Sequence, residues 1–196
     1  MAQTLERVLP FSKHLLEKAL KQGDIAIDAT AGNGHDTLFL AELVGEDGHV
    51  YSFDVQEEAI VSTKSKLEEA NINQVTLVHD GHQNVLNYVN QPISAAIFNL
   101  GYLPGSDQSV TTHGETTWKA VTDILSILKK NGIIILVVYH GHEEGKIERH
   151  YLEQCLETLD SKTTQVLTYQ FINRKTAPFI VAIEKLHWGC IKINSP

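Results

Sequence analysis

The sequence is poor in cysteine, proline and positive charge. Its two cysteines, Cys155 and Cys190, lie far apart and form no C-x-x-C pair, which argues against a disulfide framework and a zinc knuckle. Five prolines and 42% hydrophobic residues are unlike a disordered or collagen-like chain. Lys and Arg number 16 against 24 Asp and Glu, and the net charge of −8 disfavours bulk attraction to nucleic acid or to an anionic membrane. Any contact with nucleic acid is therefore expected to be local.

Long hydrophobic runs are also missing. The longest, residues 133–139, is far shorter than the ~18 residues of a membrane-spanning helix and has the length of a buried strand. The first twenty residues mix charges such as Arg7 and Lys13 into their apolar positions, unlike a signal peptide. The length of 196 residues fits one domain. We therefore expect a cytoplasmic protein without a membrane partner, a single domain over residues 1–196 with an N-terminal helical segment over residues 1–23.

Strand-like and helix-like segments alternate after residue 23. Strands are predicted over residues 24–29, 49–54, 75–79, 95–100 and 132–139, and helices over residues 35–44, 56–70, 84–89, 115–129 and 144–159. This alternation predicts an α/β fold, a parallel sheet with helices on both faces. The last two strands, residues 165–172 and 179–184, have no helix between them. We expect them to form an antiparallel hairpin at one edge of the sheet.

A strand, a glycine turn and the start of a helix follow one another in residues 25–37, IAIDATAGNGHDT. Open α/β sheets bind ligands at such a turn. Gly32 and Gly34 allow a sharp turn and a close approach to the ligand, and the helix start offers free N–H groups to a polar or anionic ligand group. The turn alone is weak evidence, because a strand-to-helix turn without a ligand can have the same sequence.

Carboxylates end three successive predicted strands, at Asp28, Asp54 and Asp80. Asp54 is placed to accept hydrogen bonds from both hydroxyls of a ribose, and Asp80 to reach an adenine amino group. Each aspartate alone is as well explained by a solvated strand end. The three together, along one edge of the sheet, favour a bound nucleoside.

The residues around the glycines favour S-adenosyl-L-methionine (SAM) over a dinucleotide. A dinucleotide site has its third glycine where this sequence has Thr37, and a pyrophosphate would be repelled by Asp28 and Asp36. The amino group and sulfonium of SAM are cationic and suit these carboxylates. The predicted cofactor-binding residues are Asp28, Thr30, Gly32, Asn33, Gly34, Asp36, Thr37, Asp54, Gln56, Asp80, Gly81, His82 and Asn99.

Residues 28–37, DATAGNGHDT, resemble the first motif of class I SAM-dependent methyltransferases. The resemblance implies a Rossmann-like sheet of seven strands, mostly parallel with an antiparallel last strand. Three further segments resemble the YtqB/MnmM family within this class, and the likeness extends over nearly the whole chain. They are FNLGYLPG at residues 98–105, TTW at residues 116–118 and YHGH at residues 139–142. That family implies methylation of the 5-aminomethyl group on a tRNA wobble uridine, giving 5-methylaminomethyl-2-thiouridine. The implied partner is the tRNA anticodon stem-loop, and a homodimer stays open.

Asn99 and Tyr102 are the predicted catalytic residues. Amino methyltransferases commonly end strand four with Asn/Asp-Pro-Pro-Tyr/Phe, in which the first side chain accepts an N–H bond from the target nitrogen. Here Leu100 and Gly101 replace the prolines, which leaves the acceptor and an aromatic wall. The target amine has to be neutral, since an ammonium has no lone pair. The residues expected to contact the substrate are Leu103, Pro104, Gly105, Tyr139, His140, His142 and Arg174.

Other functions stay open at this point. A small-molecule amine methyltransferase is favoured by the net charge of −8 and by the lack of an appended RNA-binding domain. Families of this type were first labelled rRNA methylases, so an rRNA methyltransferase is a further alternative. A nicotinamide-dependent Rossmann enzyme is disfavoured by Thr37 and the Asp28/Asp36 pair. No metal is expected, because His140 and His142 lack the carboxylate or cysteine set of a catalytic zinc site.

Overall fold

A computed structural model describes residues 4–101, 112–140, 143–174 and 176–187. The helices are α1 Val8–Ala19, α2 His35–Val44, α3 Glu57–Glu69, α4 Gly114–Ile127 and α5 Glu143–Glu157, with a 3-10 helix at His82–Asn87. The strands are β1 Ile25–Asp28, β2 His49–Asp54, β3 Val75–His79, β4 Ile93–Leu100, β5 Leu128–Val138, β6 Thr164–Tyr169 and β7 Phe179–Lys185.

The strands form one seven-stranded sheet in the order β3-β2-β1-β4-β5-β7-β6. The first five strands in this order are parallel, and β7 is antiparallel to both of its neighbours. The predicted fold class and the antiparallel hairpin at one edge are confirmed. The strand order reverses between β1 and β4, and open α/β sheets bind their ligands in the crevice outside such a reversal.

Both faces of the central strands are buried, as the continuous apolar runs of β4 and β5 require. Successive side chains of a strand point to opposite faces. One face packs against α1 and α2, and the other against α4 and α5. On the first face lie Ala95, Ile97, Ile135 and Val137, and on the second Ala96, Phe98, Ile134 and Leu136.

The predicted bounds of α2, β2 and β3 agree with the structure, whereas the junction of α4 and β5 differs. The prediction that residues 128 and 129 are helical is wrong, because α4 ends at Ile127 and β5 begins at Leu128, four residues before the predicted strand. Leu128 is buried and pairs with Ile93 in β4. The ammonium of Lys129 lies 2.8 Å from a carboxylate oxygen of Asp24, so this side chain is directed towards the start of β1.

The predicted N-terminal helical segment contains α1, which is packed on the sheet. Leu16 is fully buried among the residues of the first face. Phe11 stacks on Tyr169 of β6 with 4.1 Å between ring centroids, and the hydroxyl of Tyr169 donates to the carbonyl of Glu6 at 2.8 Å. The N-terminal helical segment therefore packs on the sheet through α1 and through Glu6.

Among the residues described, no helix is long and apolar enough to span a membrane.

We predict that Leu16→Ala lowers the free energy of unfolding by about 2–5 kcal/mol, the usual cost of a large-to-small change in a packed core. Leu5→Ala is the matched control, because Leu5 is 64% exposed and precedes the helix. Denaturant unfolding of both variants measures the difference. A loss below about 0.5 kcal/mol for Leu16→Ala, the range of surface substitutions, would contradict the packing of α1 as part of the folding unit.

Candidate active site

A cleft of about 1640 Å³ lies across the carboxyl ends of the parallel strands. The ends of β1, β2, β3, β4 and β5 contribute Thr30, Asp54, Asp80, Asn99 and Tyr139 to its wall. Side chains of α1 line it as well. The cleft therefore lies where the reversal of strand order leads one to expect a ligand.

Most predicted cofactor-binding residues line this cleft. They are Thr30, Gly32, Asn33, Asp36, Asp54, Gln56, Asp80, Gly81, His82 and Asn99. Three others, Asp28, Gly34 and Thr37, are not among its lining residues. Gly34 belongs to the glycine turn itself, and Asp28 and Thr37 lie behind the turn, joined by a hydrogen bond.

Asp28 is fully buried at the end of β1. One carboxylate oxygen accepts a hydrogen bond from the backbone N–H of Thr30 at 3.1 Å, and the other from the hydroxyl of Thr37 at 2.6 Å. The Thr37 oxygen also lies 2.8 Å from the hydroxyl of Ser52. Burial, with a further contribution from the charge of Asp36, raises the pKa of Asp28 from 3.8 to about 7. Asp28 thus holds the glycine turn through these hydrogen bonds, and it does not line the cleft.

Asp54 holds the glycine turn from the side of β2. Its Oδ2 accepts from the backbone N–H of Gly32 at 2.9 Å, and its Oδ1 accepts from that of Gln56 at 3.0 Å. Gly34 has a φ of 75°, and a Cβ at this position would lie 2.9 Å from the Cα of Thr63 in α3. Glycine is therefore required at residue 34 both by the backbone conformation and by the close approach of α3.

Asp80 directly follows β3 and is held in place by three hydrogen bonds. Its Oδ1 accepts from the backbone N–H of Gly81 at 2.7 Å and from the amide of Asn84 at 3.0 Å, and its Oδ2 accepts from the hydroxyl of Tyr88 at 2.9 Å. These hydrogen bonds, that of Asn84 first, hold the pKa of Asp80 below its ordinary value. The carboxylate is thus a charged acceptor of defined orientation at the edge of the cleft.

Two buried polar atoms in the cleft wall have no hydrogen-bond partner among the residues that the structure describes. They are Nε2 of His82 and Oε1 of Gln56. The Nδ1 of His82 lies 3.0 Å from the carbonyl of Ala29, so Nδ1 carries the proton and Nε2 is an acceptor. Burial lowers the pKa of His82, which favours this neutral form. Because buried polar atoms are normally hydrogen-bonded, these two atoms are unsatisfied acceptors beside the cleft.

Asn99, the predicted catalytic residue, is held at the end of β4 by two hydrogen bonds. Its backbone N–H donates to the hydroxyl of Thr30 at 2.7 Å, and its side-chain NH₂ donates to Oδ2 of Asp36 at 2.7 Å. A carboxylate only accepts hydrogen bonds, so this contact determines which end of the amide is nitrogen. The side-chain oxygen of Asn99 is thereby the acceptor end of the amide, and it takes no part in the contact with Asp36.

The predicted substrate-contacting residues are distributed differently. Tyr139 lines the cleft, and burial, then the charge of Asp36, raises the pKa of its phenol. His140 is buried edge-on to Phe179, 5.4 Å between ring centroids, outside the cleft wall. Arg174 is exposed, with its guanidinium over the ring of Phe171. The other predicted substrate residues, Leu103, Pro104, Gly105 and His142, lie outside the described residues, as does Tyr102, the second predicted catalytic residue.

A hydrogen-bond network that the sequence did not reveal supports the end of β4. The N–H of Gly101 donates to the hydroxyl of Thr112 at 3.0 Å, and the N–H of Thr112 donates to the carbonyl of Gly101 at 3.1 Å. Glu148 of α5 is buried and accepts from the hydroxyls of Thr112 and Thr117 at 2.7 and 2.8 Å. Only the fold brings a helical glutamate from position 148 to this strand end, so no local pattern could have indicated it.

The contribution of α1 to the cleft was also missed. Lys13, His14 and Glu17 lie on the cleft wall. The sequence indicated a helix here but not which element it would face. Within the described parts of the chain, no group of three or more His, Cys, Asp or Glu side chains could hold a metal ion.

We predict that Asp28→Asn makes the protein less sensitive to alkaline pH. Folding raises the pKa of Asp28. Its favourable contribution to the free energy of unfolding is therefore complete below about pH 4 and is lost as pH rises through about 7. The free energy of unfolding of the variant, relative to wild type, should therefore be higher at pH 8 than at pH 5 by about 2–3 kcal/mol, because one pKa unit corresponds to about 1.36 kcal/mol. Denaturant unfolding at both pH values measures it.

The exposed Asp47→Asn variant is the control for a change of charge alone. A pH-independent difference between Asp28→Asn and wild type would contradict the raised pKa of the buried acid.

Comparison with known proteins agrees with this geometry. The family described as "Putative rRNA methylase" matches residues 50–184. A curated relative, the chloroplastic tRNA (mnm(5)s(2)U34)-methyltransferase of Arabidopsis thaliana, is 37% identical over 180 residues, 86% of this chain and 66% of the relative. The chain therefore spans slightly less than two thirds of the length of that relative.

Solved structures are similar over nearly the whole chain. A "putative rRNA-methylase" from Clostridium thermocellum is 42% identical with a TM-score of 0.92, covering 94% of this chain and 100% of the other. A "putative methyltransferase" from Streptococcus mutans, in complex with SAH, is 44% identical with a TM-score of 0.87, covering 93% and 100%. The predicted family and cofactor are confirmed, and the chain belongs to this rRNA methylase family of SAM-dependent methyltransferases.

Proposed function

We propose that this protein transfers a methyl group from SAM to the 5-aminomethyl group of the wobble uridine of tRNA, forming 5-methylaminomethyl-2-thiouridine. The observation that carries the proposal is the fixed amide of Asn99, whose oxygen is left as an acceptor for a substrate N–H. The printed name of the Arabidopsis relative supports a wobble uridine as the site of modification.

The donor half of the cleft is formed by β1, β2 and β3. Asp54 would accept from the ribose hydroxyls, while His82 and Asp80 would accept from the adenine amino group. The start of α2, which follows the glycine turn, would offer free backbone N–H groups to the carboxylate of the methionine part. When bound, SAM supplies a methyl group that its sulfonium has already activated.

The acceptor half is formed by the ends of β4 and β5. The oxygen of Asn99 would accept an N–H bond from the amine and so aim the nitrogen lone pair at the methyl group. Such orientation supplies much of the rate of a displacement between two bound groups. Tyr139, on the wall beside it, offers an aromatic surface for the uracil ring.

The size of the cleft supports a nucleotide acceptor. Its volume of about 1640 Å³ exceeds the roughly 300–1,000 Å³ of ordinary small-molecule sites, so it has room for a cofactor and a second nucleoside. Lys13 and His14 of α1 and His35 of α2 lie on its wall, together with Glu6 and Glu17. Lys13 is positively charged and would give an acidic protein a local contact for tRNA phosphates.

Two alternatives have an observation in their favour. The family description favours an rRNA acceptor. The net charge of −8 favours a small-molecule amine. The experiment below therefore includes ribosomal RNA and a small-molecule amine as separate acceptors.

We expect Asp54→Asn to weaken SAH binding about tenfold or more, since a hydrogen bond to a charged group contributes ~1.5–3 kcal/mol. Titration calorimetry measures the affinity, with NAD expected to give no binding heat. Glu46→Gln, an exposed change of charge, is the control. Equal SAH affinity in wild type and Asp54→Asn would contradict a role of this carboxylate in holding the ribose.

The acceptor is tested by incubating the protein and SAM with tRNA that carries 5-aminomethyl-2-thiouridine, followed by mass spectrometry of the nucleosides. The expected product is the same nucleoside with one added methyl group. The comparison acceptors are tRNA without the aminomethyl group, small ribosomal subunits and the free aminomethyl nucleoside. Methylation of ribosomal RNA or of the free nucleoside, with none of the tRNA, would overturn the proposal.

We predict that Asn99→Ala slows single-turnover transfer to this tRNA by about 10²-fold, the scale of a small misplacement of reacting groups. Its SAH affinity should change much less, because the side chain faces the acceptor half. The exposed Asn90→Ala is the matched control. A stable Asn99→Ala protein with a rate near that of wild type would remove Asn99 from the catalytic residues.

A further inference from the structure

Asp36 lies in the first turn of α2 with its carboxylate on the cleft wall. Its Oδ2 accepts the side-chain NH₂ of Asn99 at 2.7 Å. Across the ranges that the structure describes, this carboxylate accepts no other hydrogen bond, from a side chain or from the free N–H groups of its own helix. One of its oxygens is thus available to a ligand in the cleft.

The contact between Asp36 and Asn99 lies at the boundary of the two halves of the cleft. Asp36 belongs to the helix that follows β1, and Asn99 ends β4, the strand beside β1 at the reversal of strand order. The hydroxyl of Thr30, which follows β1, also binds the backbone of Asn99. The charge of Asp36 acts on both sides of this boundary, since it raises the pKa of Asp28 behind the turn and of Tyr139 on the acceptor side.

Methyl transfer moves a positive charge across this boundary. The nitrogen–carbon bond forms as the carbon–sulfur bond breaks, and the electron pair of the broken bond remains on sulfur. The neutral amine becomes a secondary ammonium, which later releases a proton to water. A fixed anion beside the nitrogen favours this change because it stabilises the arriving charge more than the neutral amine.

Resting on the proposed function, we propose that Asp36 is the anion that stabilises the positive charge arriving on the acceptor nitrogen, while it holds Asn99 in position. The carboxylate is fixed by the same contact that sets the orientation of the Asn99 amide. Orientation of the nitrogen and neutralisation of its charge are then two results of one ion–amide pair. This role differs from the cofactor-binding role that the sequence predicted for Asp36.

Asp36→Asn separates the charge from the hydrogen bond. The asparagine has the same shape, and its amide oxygen can still accept the NH₂ of Asn99, so the charge is the main loss. Asp36→Glu keeps the charge and tests rescue by the conservative variant. Glu42→Gln removes an exposed charge from the same helix, away from the cleft, and is the control.

The test compares the binding of two ligands and needs no acceptor. Sinefungin has a protonated amine on carbon in place of the methylsulfonium group of SAM, so it places a cationic nitrogen near the position of transfer. SAH has no charge there. We expect wild type and Glu42→Gln to bind sinefungin more tightly than SAH. In Asp36→Asn this preference should fall about tenfold or more, with SAH affinity nearly unchanged, and Asp36→Glu should keep most of it.

Three results would overturn the proposal. Wild type could bind SAH and sinefungin equally, which decides the question even if Asp36→Asn does not fold. Asp36→Asn could retain the full preference for sinefungin. It could also lose SAH and sinefungin affinity in equal measure, which would assign Asp36 to the cofactor or to the fold.

The proposed function fails separately from this inference. A wild type that does not methylate the aminomethyl tRNA, yet prefers sinefungin through Asp36, would have the charge-stabilising site and another amine as its acceptor. A wild type that methylates the tRNA, and whose ligand preference is independent of Asp36, would have the proposed function without this role for Asp36.

Discussion

Four hydrogen bonds, together with the peptide bond between Asp36 and Thr37, form a closed ring that joins β1, α2 and β4 where the two halves of the cleft meet. Asp28 accepts from Thr30 and Thr37, Thr30 accepts from the backbone of Asn99, and Asn99 donates to Asp36, the residue next to Thr37. The glycine turn on the donor side and the strand end on the acceptor side therefore share one support. A shift of either element would have to break a hydrogen bond in this ring.

The ring is built around a carboxylate that has been taken out of water. Burial of a carboxylate is unfavourable unless hydrogen bonds compensate for the lost hydration, and here two donors, the N–H of Thr30 and the hydroxyl of Thr37, provide them. A carboxylate only accepts, so it imposes a direction on both neighbours. The raised pKa of Asp28 shows that compensation is incomplete. The buried carboxylate of Asp28 thus lowers the stability of the domain while it fixes the orientation of the turn.

The sequence was most informative where structure is local. The bounds of α2 were predicted because an apolar run is enclosed by the glycines at its two ends. The three strand-end carboxylates look alike in sequence, yet Asp28 is buried while the other two line the cleft. That difference depends on Thr37, nine residues further on. His140 packs on Phe179 from the neighbouring strand β7, a contact that only the sheet order creates. Contacts between residues that are distant in the sequence therefore determine which of the predicted side chains line the cleft.

The reciprocal hydrogen bonds between Gly101 and Thr112 connect the end of β4 to α5. The N–H groups of both residues take part, since Gly101 donates to the hydroxyl of Thr112 and Thr112 donates to the carbonyl of Gly101. The same Thr112 hydroxyl donates to the buried carboxylate of Glu148 in α5. A change of the charge or length of residue 148 would therefore reach the acceptor end of the cleft through Thr112.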